Sequence, residues 1–388
     1  MVATTVGVLR ETVPGERRVA LVPDLVPAVG RLGLKVLVEA GAGARARHHD
    51  VAYTAAGAEL TGRAELLLHA DVLLGIHPPT GDSSRRLRRG QVLVTMVRPT
   101  RIAFLVRQWA DLGVTSIGLD LAPARLPAAY PMDAAASQGR IAGYRAVLLA
   151  AARLGSCLPP WGTSDGLFAP VRVLVVGAGH PGLQAIDTAH RLGALVHVVE
   201  LRGPERAQAV ALGAELLDLP GLHPVDDDLA LREALEHRRS VLRSGVAAAA
   251  VRHDLVLTAL DLPDHEPPTV LDRDTVATMR PGSVLVDLAA GPGGGNIEGI
   301  GPDTTTLVGD GVTVIGAGDL AAGVPTTASL AYAHNVLALL AHLTHGGPLT
   351  VDPTDPVLDA MVVTHRGTVR HGPTARLLAE ATAAAGLP

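Results

Sequence analysis

The sequence predicts an α/β protein of two doubly wound domains with a cleft between them. Three observations carry that expectation. Short apolar runs alternate with helical patterns along most of the chain, as in parallel sheets covered by helices. With 388 residues, the chain is long enough for two domains of ordinary size. One stretch, VRVLVVGAGHPGLQAIDTAHRLGALVHVVELR from Val171 to Arg202, reads strand, glycine turn, helix, strand, acid. That order is the signature of a Rossmann-like βαβ unit.

The elements follow in order. TTVGVLRE, residues 4–11, is a first strand. Leu21 to Leu32 has helical spacing with Pro23 near its start, and Lys35 to Glu39 is the next strand. The apolar runs Asp71–Ile76, Gln91–Val97 and Thr115–Asp120 are further strands, with a helix from Arg101 to Leu112. LAPARLPAAYP, Leu121 to Pro131, is a loop broken by Pro123, Pro127 and Pro131. A helix over SQGRIAGYRAVLLAAARLG follows, long enough to pass between domains. A second loop, Pro159 to Pro170, precedes the glycine unit, whose helix is expected over Leu183 to Leu192. Strands return at Leu255–Thr258, Val284–Leu288 and Val312–Ile315. An apolar helix, Ser329 to Leu343, reads as a return crossing, and the tail from Thr350 as short strands and loops. The expected domains are therefore 1–137 with 328–388, and 138–327.

Within the glycine unit each residue type has a physical task. Gly177 permits the tight turn, Gly179 lets backbone approach a pyrophosphate, and Gly182 lets helix and strand pack closely. The helix start offers unpaired N–H groups and partial positive charge to phosphates. Glu200 stands where an acid accepts hydrogen bonds from an adenosine ribose. The reading is NAD binding; the plainer alternative is a glycine turn that only packs a βα unit.

Bulk properties narrow the classes. The chain is 48% hydrophobic and 18% charged with a net charge of −5, a globular balance with no basic excess for nucleic acid. No apolar run reaches the roughly 20 residues of a membrane span, and MVATTVGVLRE lacks a signal-peptide pattern. The single cysteine, Cys157, fits a reducing cytoplasm. The 16 histidines are scattered, so no metal site is expected. Lys35 is the one lysine, which leaves Schiff-base chemistry almost no candidate.

Longer stretches resemble the alanine dehydrogenase and nicotinamide nucleotide transhydrogenase alpha-subunit family. They are VGVLRETVPGERRVALVP, AGAGARARHHDVAYTAAGAEL, SQGRIAGYRAV, the glycine unit, TALDLPDHEPP, TMRPGSVLVDLAAGPGGGN and AYAHNVLALL. GLQAI, TAL and VVTHRGTVRHG are more similar to the transhydrogenase branch. The resemblance implies two Rossmann-like domains, NAD(H) in the second, hydride transfer in the cleft, and a homodimer. With the fingerprint it assigns Gly177, Gly179, His180, Pro181, Gly182, Glu200, Leu201, Arg202, Thr258, Ala259, Leu260 and Asp287 to the cofactor.

The departures fall on the reacting side. The alanine dehydrogenase branch carries an arginine, a lysine, a histidine and an aspartate; here those positions hold Arg18, His77, Arg98 and Gly291. The transhydrogenase branch carries a loop like RISRAQSxDxxSS. Here Ala128 replaces its inner arginine, Tyr130 its glutamine and Ala136 its first serine, while Asp133 remains. Pro127 and Pro131 stiffen the loop. The candidate catalytic residues are Arg18, His77, Arg98, Tyr130 and Asp133, each with a plainer reading. Arg18 grips a substrate carboxylate in two-pronged fashion, or is a surface charge beside Arg17. His77 and Arg98 close neighbouring strands as a titratable group and a fixed cation, or His77 is structural. Tyr130 donates a proton or packs; Asp133 holds the nicotinamide amide or caps a helix. His180 faces solvent or pyrophosphate. Asp287 bonds N–H groups of the GPGGG loop, and Asp254, Asp261 and Asp264 are solvated.

The function expected is a soluble NAD(H)-dependent oxidoreductase that moves hydride to or from a small amino or oxo acid in a rebuilt cleft. Three alternatives stay open. One is a working transhydrogenase alpha subunit with separate NADP-binding and membrane partners. Another uses NAD transiently, as in cyclodeamination or epimerisation. The last is a redox-silent NAD-binding module.

Overall fold

The computed structural model describes residues 4–226, 228–262, 265–345 and 347–384; Asp264 lies outside the described residues. The strands are β1 Thr5–Val8, β2 Lys35–Glu39, β3 Glu59–Thr61, β4 Val72–Leu74, β5 Val92–Thr95 and β6 Thr115–Gly118. Next come β7 Trp161–Thr163, β8 Gly166–Phe168, β9 Arg172–Val176, β10 Leu195–Val199, β11 Glu215–Leu216 and β12 Leu255–Thr258. The last are β13 Val284–Asp287, β14 Thr304–Val308, β15 Val312–Gly316, β16 Val362–His365 and β17 Thr368–Val369.

The chain divides into two units. One comprises residues up to Gln138 together with those from Ala322; the other is Gly139–Ala321. The second division precedes residue 328 because the return helix already starts at Pro325, and its buried Tyr332, Ala333 and Val336 join the first unit's core.

In the first unit the sheet order is β17-β16-β6-β5-β4-β1-β2-β3. The run from β6 to β3 is parallel, and β16 and β17 add an antiparallel edge. Successive side chains in a strand face opposite sides, and the core divides accordingly. Val72, Leu74, Val92 and Val94 join one apolar cluster, while Leu73 and Leu93 join the other. Gly7 lets the helix Arg63–His69 lie against β1, since a Cβ there would stand 2.7 Å from the Ala70 Cβ.

The second unit has the order β11-β10-β9-β12-β13-β15-β14, parallel except for β14. Val173 and Val175 face one cluster, Leu174 and Val176 the other, and all are essentially inaccessible. Both sheets are doubly wound: chain order reverses between β1 and β4 in one and between β9 and β12 in the other. Such reversals open a crevice at the carboxyl ends of the strands, where ligands of this architecture bind.

Several local expectations need correction. Leu121–Pro131 is not a plain loop: Pro127–Met132 forms a 3₁₀ turn with Ala129 and Met132 buried. Pro127 and Pro131 hold φ near the helical value, so they shape the turn rather than merely interrupt the chain. Pro159–Pro170 contains the β7–β8 hairpin, which leaves Trp161, Leu167 and Phe168 exposed. The tail contains two helices, Pro356–Met361 and Gly372–Ala384. The Asp355-Pro356 pair is a helix-start signal: the Asp355 carboxylate accepts from the Val357 N–H at 2.7 Å, and Pro356 needs no partner for a missing donor. Asp254 is not simply solvated, since it accepts from the Arg172 N–H and from Arg280.

One buried pair makes the second unit sensitive to acid. His253 donates from Nδ1 to the Ala249 carbonyl at 2.7 Å, and its Nε2 accepts from His197 Nδ1 at 2.9 Å. Burial pushes the His253 imidazole down to about 4 and lowers His197 as well. The unfolded chain therefore takes up protons more readily than the folded one. The contribution is fully present above the ordinary histidine value near 6.5 and is lost as pH falls from there toward 4. For His253 the loss is on the order of 3 kcal/mol at 1.4 kcal/mol per unit. Urea unfolding at pH 7.5 and 4.5 should show that loss, and His253→Gln should flatten the difference; equal flattening by an exposed-histidine control such as His69→Gln would refute it.

Candidate functional site

The glycine turn lies at the reversal point of the second sheet. Gly177 follows β9 with φ of 92°, a left-handed conformation that favours glycine. A Cβ there would stand 2.7 Å from the Ala259 carbonyl, so the turn after β9 and the segment after β12 touch through backbone. A Cβ on Gly182 would meet the Gly177 carbonyl at 1.9 Å, so helix His180–Arg191 can begin this close to β9 only with glycine there. Gly179 caps that helix, and the nearest atom to an added Cβ is Nη2 of Arg202, at 3.7 Å. The helix starts at His180, three residues before the expected Leu183, with His180 and Pro181 in its first turn. Gly139 and Gly143 of the SQGRIAGYRAV stretch let the helix Ala134–Ala151 come against His180 and Pro181.

Glu200, at the end of β10, is closed in. Its carboxylate accepts from the N–H of Ala178 at 2.5 Å, of Leu201 at 2.8 Å and of Arg202 at 2.9 Å, and from the Arg202 guanidinium at 3.2 Å. Burial opposes its ionised form, yet Arg202 and these N–H groups hold it below the usual carboxylate range. Its side chain has no exposed surface. The acid is next to the glycine turn as expected, but its lone pairs are occupied, and Arg202 is the more exposed group of the two.

Thr258, Ala259 and Leu260 are buried beside the turn. Asp287 is the last residue of β13; it accepts from the Thr258 hydroxyl at 3.1 Å, the Ala289 N–H at 3.0 Å and the Ile297 N–H at 2.9 Å. It thus clasps both ends of the GPGGG loop, and burial raises its pKa. Asn296 escaped the sequence reading. It accepts from the Leu260 N–H and donates to the Leu260 and Pro268 carbonyls, which ties the loop after β12 to the loop after β13. Its signal was an amide directly after a glycine run.

The first unit's reversal point carries charges instead of a glycine turn. Glu11, Glu16 and Arg18 follow β1, and His77 follows β4. Arg18 is buried and grips Glu16 by Nε at 2.9 Å and Nη2 at 2.6 Å. Its Nη1 donates to Gln138 at 2.9 Å. The two-pronged grip expected for a substrate carboxylate is therefore made to a carboxylate of the chain itself, and the surface-charge alternative is excluded by burial. The Glu16 oxygen that accepts from Arg18 Nη2 also meets His77 Nε2, at 2.7 Å. Burial opposes ionisation of Glu16, but the hydrogen bonds from Arg18 and His77 hold its carboxyl well below the usual range. Glu11 accepts from the Ile76 N–H, and burial pushes it up to about 6.

Arg98 follows β5, is exposed and has φ of 44°. Asp120 holds that bend by accepting the N–H groups of Val97 and Arg98 at 2.7 and 2.8 Å. Tyr130 is exposed on the 3₁₀ turn, while Asp133 caps the next helix, accepting from the Ala136 N–H at 2.7 Å. From Arg18 a chain of polar contacts runs through Gln138, Ser137 and Asn335 to the Pro131 carbonyl. Glu16, Glu11, Gln138, Asn335 and Asp120 went unremarked in the sequence; the acids flanking Arg18 in ETVPGERR were the available signal.

Two doubly wound units, one bearing a dinucleotide-type glycine turn, define the class as a paired Rossmann-like protein. Family models for alanine dehydrogenase/PNT match at residues 7–142 for the N-terminal domain and 146–372 for the C-terminal domain. The chain is 34% identical over 386 residues to the NAD(P) transhydrogenase subunit alpha of Cereibacter sphaeroides, covering 98% of this chain and 73% of that one. It is 30% identical over 370 residues to alanine dehydrogenase of Mycobacterium tuberculosis, covering 93% of each. The crystal structure of transhydrogenase from Sinorhizobium meliloti superimposes with a TM-score of 0.80 at 32% identity, over 95% of this chain and 99% of that one. The chain belongs to the alanine dehydrogenase/PNT family.

Removing Glu16 should take from buried Arg18 the carboxylate that its Nε and Nη2 grip. Breaking such a pair costs about 3–5 kcal/mol. Glu16→Ala should lower the urea midpoint accordingly; a change under about 1 kcal/mol would show that the pair is not closed off as described.

Proposed function

We propose that the chain is an NAD(H)-dependent oxidoreductase that transfers hydride between the nicotinamide and a small metabolite of amino- or oxo-acid type. The observation that carries the reading is the glycine turn at the second sheet's reversal point, clasped by Glu200 through the Ala178 N–H. Gly177, Gly179, His180, Pro181 and Gly182 would line the pyrophosphate, which the helix start favours electrostatically. Pro181 has no N–H, so the donors would be those of His180 and Gly182. Glu200, Leu201 and Arg202 would meet the adenosine ribose, with Arg202 moving aside from Glu200 as it binds. Thr258, Ala259, Leu260 and Asp287 would shape the nicotinamide end. Bound NAD supplies a hydride acceptor or donor at its nicotinamide C4.

On the substrate side the roles fall to His77, Arg98, Tyr130 and Asp133. Arg18 acts through Glu16, since its fork is already filled. Arg98, exposed and held by Asp120, is the cation offered to a substrate carboxylate. The working form is a homodimer in the cytoplasm, where the exposed Cys157 stays reduced. Among the described residues no helix is long and apolar enough to cross a membrane.

The kinship with transhydrogenase alpha subunits supports a second reading, an NAD(H)-binding alpha subunit with NADP-binding and membrane partners. Against it stand Ala128, Tyr130 and Ala136 in the loop, because polar groups that orient two nicotinamides are not casually replaced.

Gly179 tests the cofactor site. It is in extended backbone that any residue adopts, so Gly179→Arg should fold while filling the space over the turn. NADH fluorescence changes on binding should be lost by at least tenfold in affinity. Unchanged binding would remove the basis of the reading.

A further inference from the structure

We propose that Glu16 and His77 form an acid–base dyad and that the metabolite it serves is a hydroxyl/carbonyl couple, a small alcohol on one side and its carbonyl compound on the other. The inference rests on the NAD(H) reading and adds the chemistry of the second reactant.

The dyad lies where chain order reverses in the first sheet, on the loops that follow the neighbouring parallel strands β1 and β4. The second unit uses the equivalent point for its glycine turn. In the first unit a ligand entering there meets side chains that carry charge and protons.

The Glu16 carboxylate cannot turn: one oxygen accepts from the N–H groups of Arg17 and Arg18 and from Arg18 Nε, at 2.9, 2.8 and 2.9 Å. The other oxygen accepts from Arg18 Nη2 at 2.6 Å and meets His77 Nε2 at 2.7 Å. An ionised carboxylate only accepts, so His77 donates from Nε2, which fixes the tautomer and leaves the Nδ1 lone pair as the base. Glu16 is buried, whereas 30% of the His77 side chain is exposed. A fixed buried carboxylate behind an accessible imidazole orients the ring and stabilises the imidazolium that forms on proton uptake, as in acyl-transfer triads.

The chemistry then selects the substrate. Hydride exchange between two nicotinamides moves no proton to or from oxygen, and the dyad would be idle. Alcohol oxidation needs it. The O–H bond breaks and its proton goes to His77 Nδ1, while the O–H electron pair becomes the carbonyl π bond. The C–H bond breaks, and the hydrogen leaves with its pair to the oxidised nicotinamide dinucleotide. The alcohol is oxidised by two electrons, the dinucleotide is reduced, and one proton is released to solvent. In reverse, His77 donates that proton to the carbonyl oxygen. Lysine chemistry is remote from this edge: Lys35 opens β2 at the amino end of the sheet, paired with Glu59 at 2.8 Å.

The test uses the full chain with NADH and pyruvate, glyoxylate or acetone, without ammonium. NADH binding is followed by fluorescence, proton uptake by an indicator dye, and the His77 tautomer by nitrogen-15 NMR of the ligand-free protein. The expected result is carbonyl reduction with one proton taken up per NADH, and an Nε2–H tautomer. His77→Gln should lose at least a hundredfold in turnover, the low end for general acid–base catalysis, with NADH affinity within about twofold of wild type. His77→Gly should recover turnover when imidazole is added. An Nδ1–H tautomer, or turnover in His77→Gln within threefold of wild type, overturns the dyad. NADH binding with no carbonyl reduced, or with hydride passing only to 3-acetylpyridine adenine dinucleotide, overturns the substrate class. If wild-type protein fails to bind NADH, the cofactor reading itself falls and takes the couple with it.

Discussion

The buried ion pair between Arg18 and Glu16 sets the terms for the whole carboxyl edge of the first sheet. Removing two charges from water is costly, and the cost is met here because almost every lone pair and N–H on either side has a partner within the chain. Those partners come from separate elements: the loop after β1, His77 after β4, and Gln138 in the helix that follows the proline-rich turn. Gln138 and Ser137 carry the linkage on to Asn335 of the return helix, whose amide holds the Pro131 carbonyl. Tyr332 of the same helix donates to the Gly75 carbonyl, two residues before His77. From His77 to the Pro131 carbonyl the edge is therefore one connected chain of polar contacts.

The second unit reaches the same kind of reversal point by other means. There the determining constraint is steric. Backbone from the turn after β9 lies so close to the segment after β12 that a Cβ at Gly177 would force them apart, and a Cβ at Gly182 would push the following helix off the turn. Glu200 and Asp287, both buried, secure the surrounding backbone by accepting N–H groups rather than by pairing with distant cations. One sheet offers a backbone cradle at its switch point and the other a set of fixed charges, although the strand winding is the same.

Much of this was legible in the residues. Three parallel runs, Lys35–Glu39, Leu195–Val199 and Leu255–Thr258, were readable to the residue because strands buried on both faces are continuous apolar segments. The glycine unit was readable because left-handed φ and close backbone approach restrict residue type locally. Short pieces were harder. The β7–β8 hairpin and the two tail helices are brief, and proline or glycine at their edges resembles an ordinary loop. Gln138 and Asn335 looked like generic polar residues within helices, and nothing near them in sequence announces their contacts.

By itself the sequence determined the doubly wound architecture and the glycine turn with its acid at the end of β10. Tertiary structure alone decided which charges are free. Arg18 is committed to Glu16 and to Gln138, which lies 120 residues away, and His77 reaches Glu16 across 61 residues. Arg202 covers the acid that the strand pattern had left open to a ribose. The physical reason is that φ and strand burial are properties of neighbours along the chain, whereas an ion's availability depends on every group that folding brings within hydrogen-bond reach.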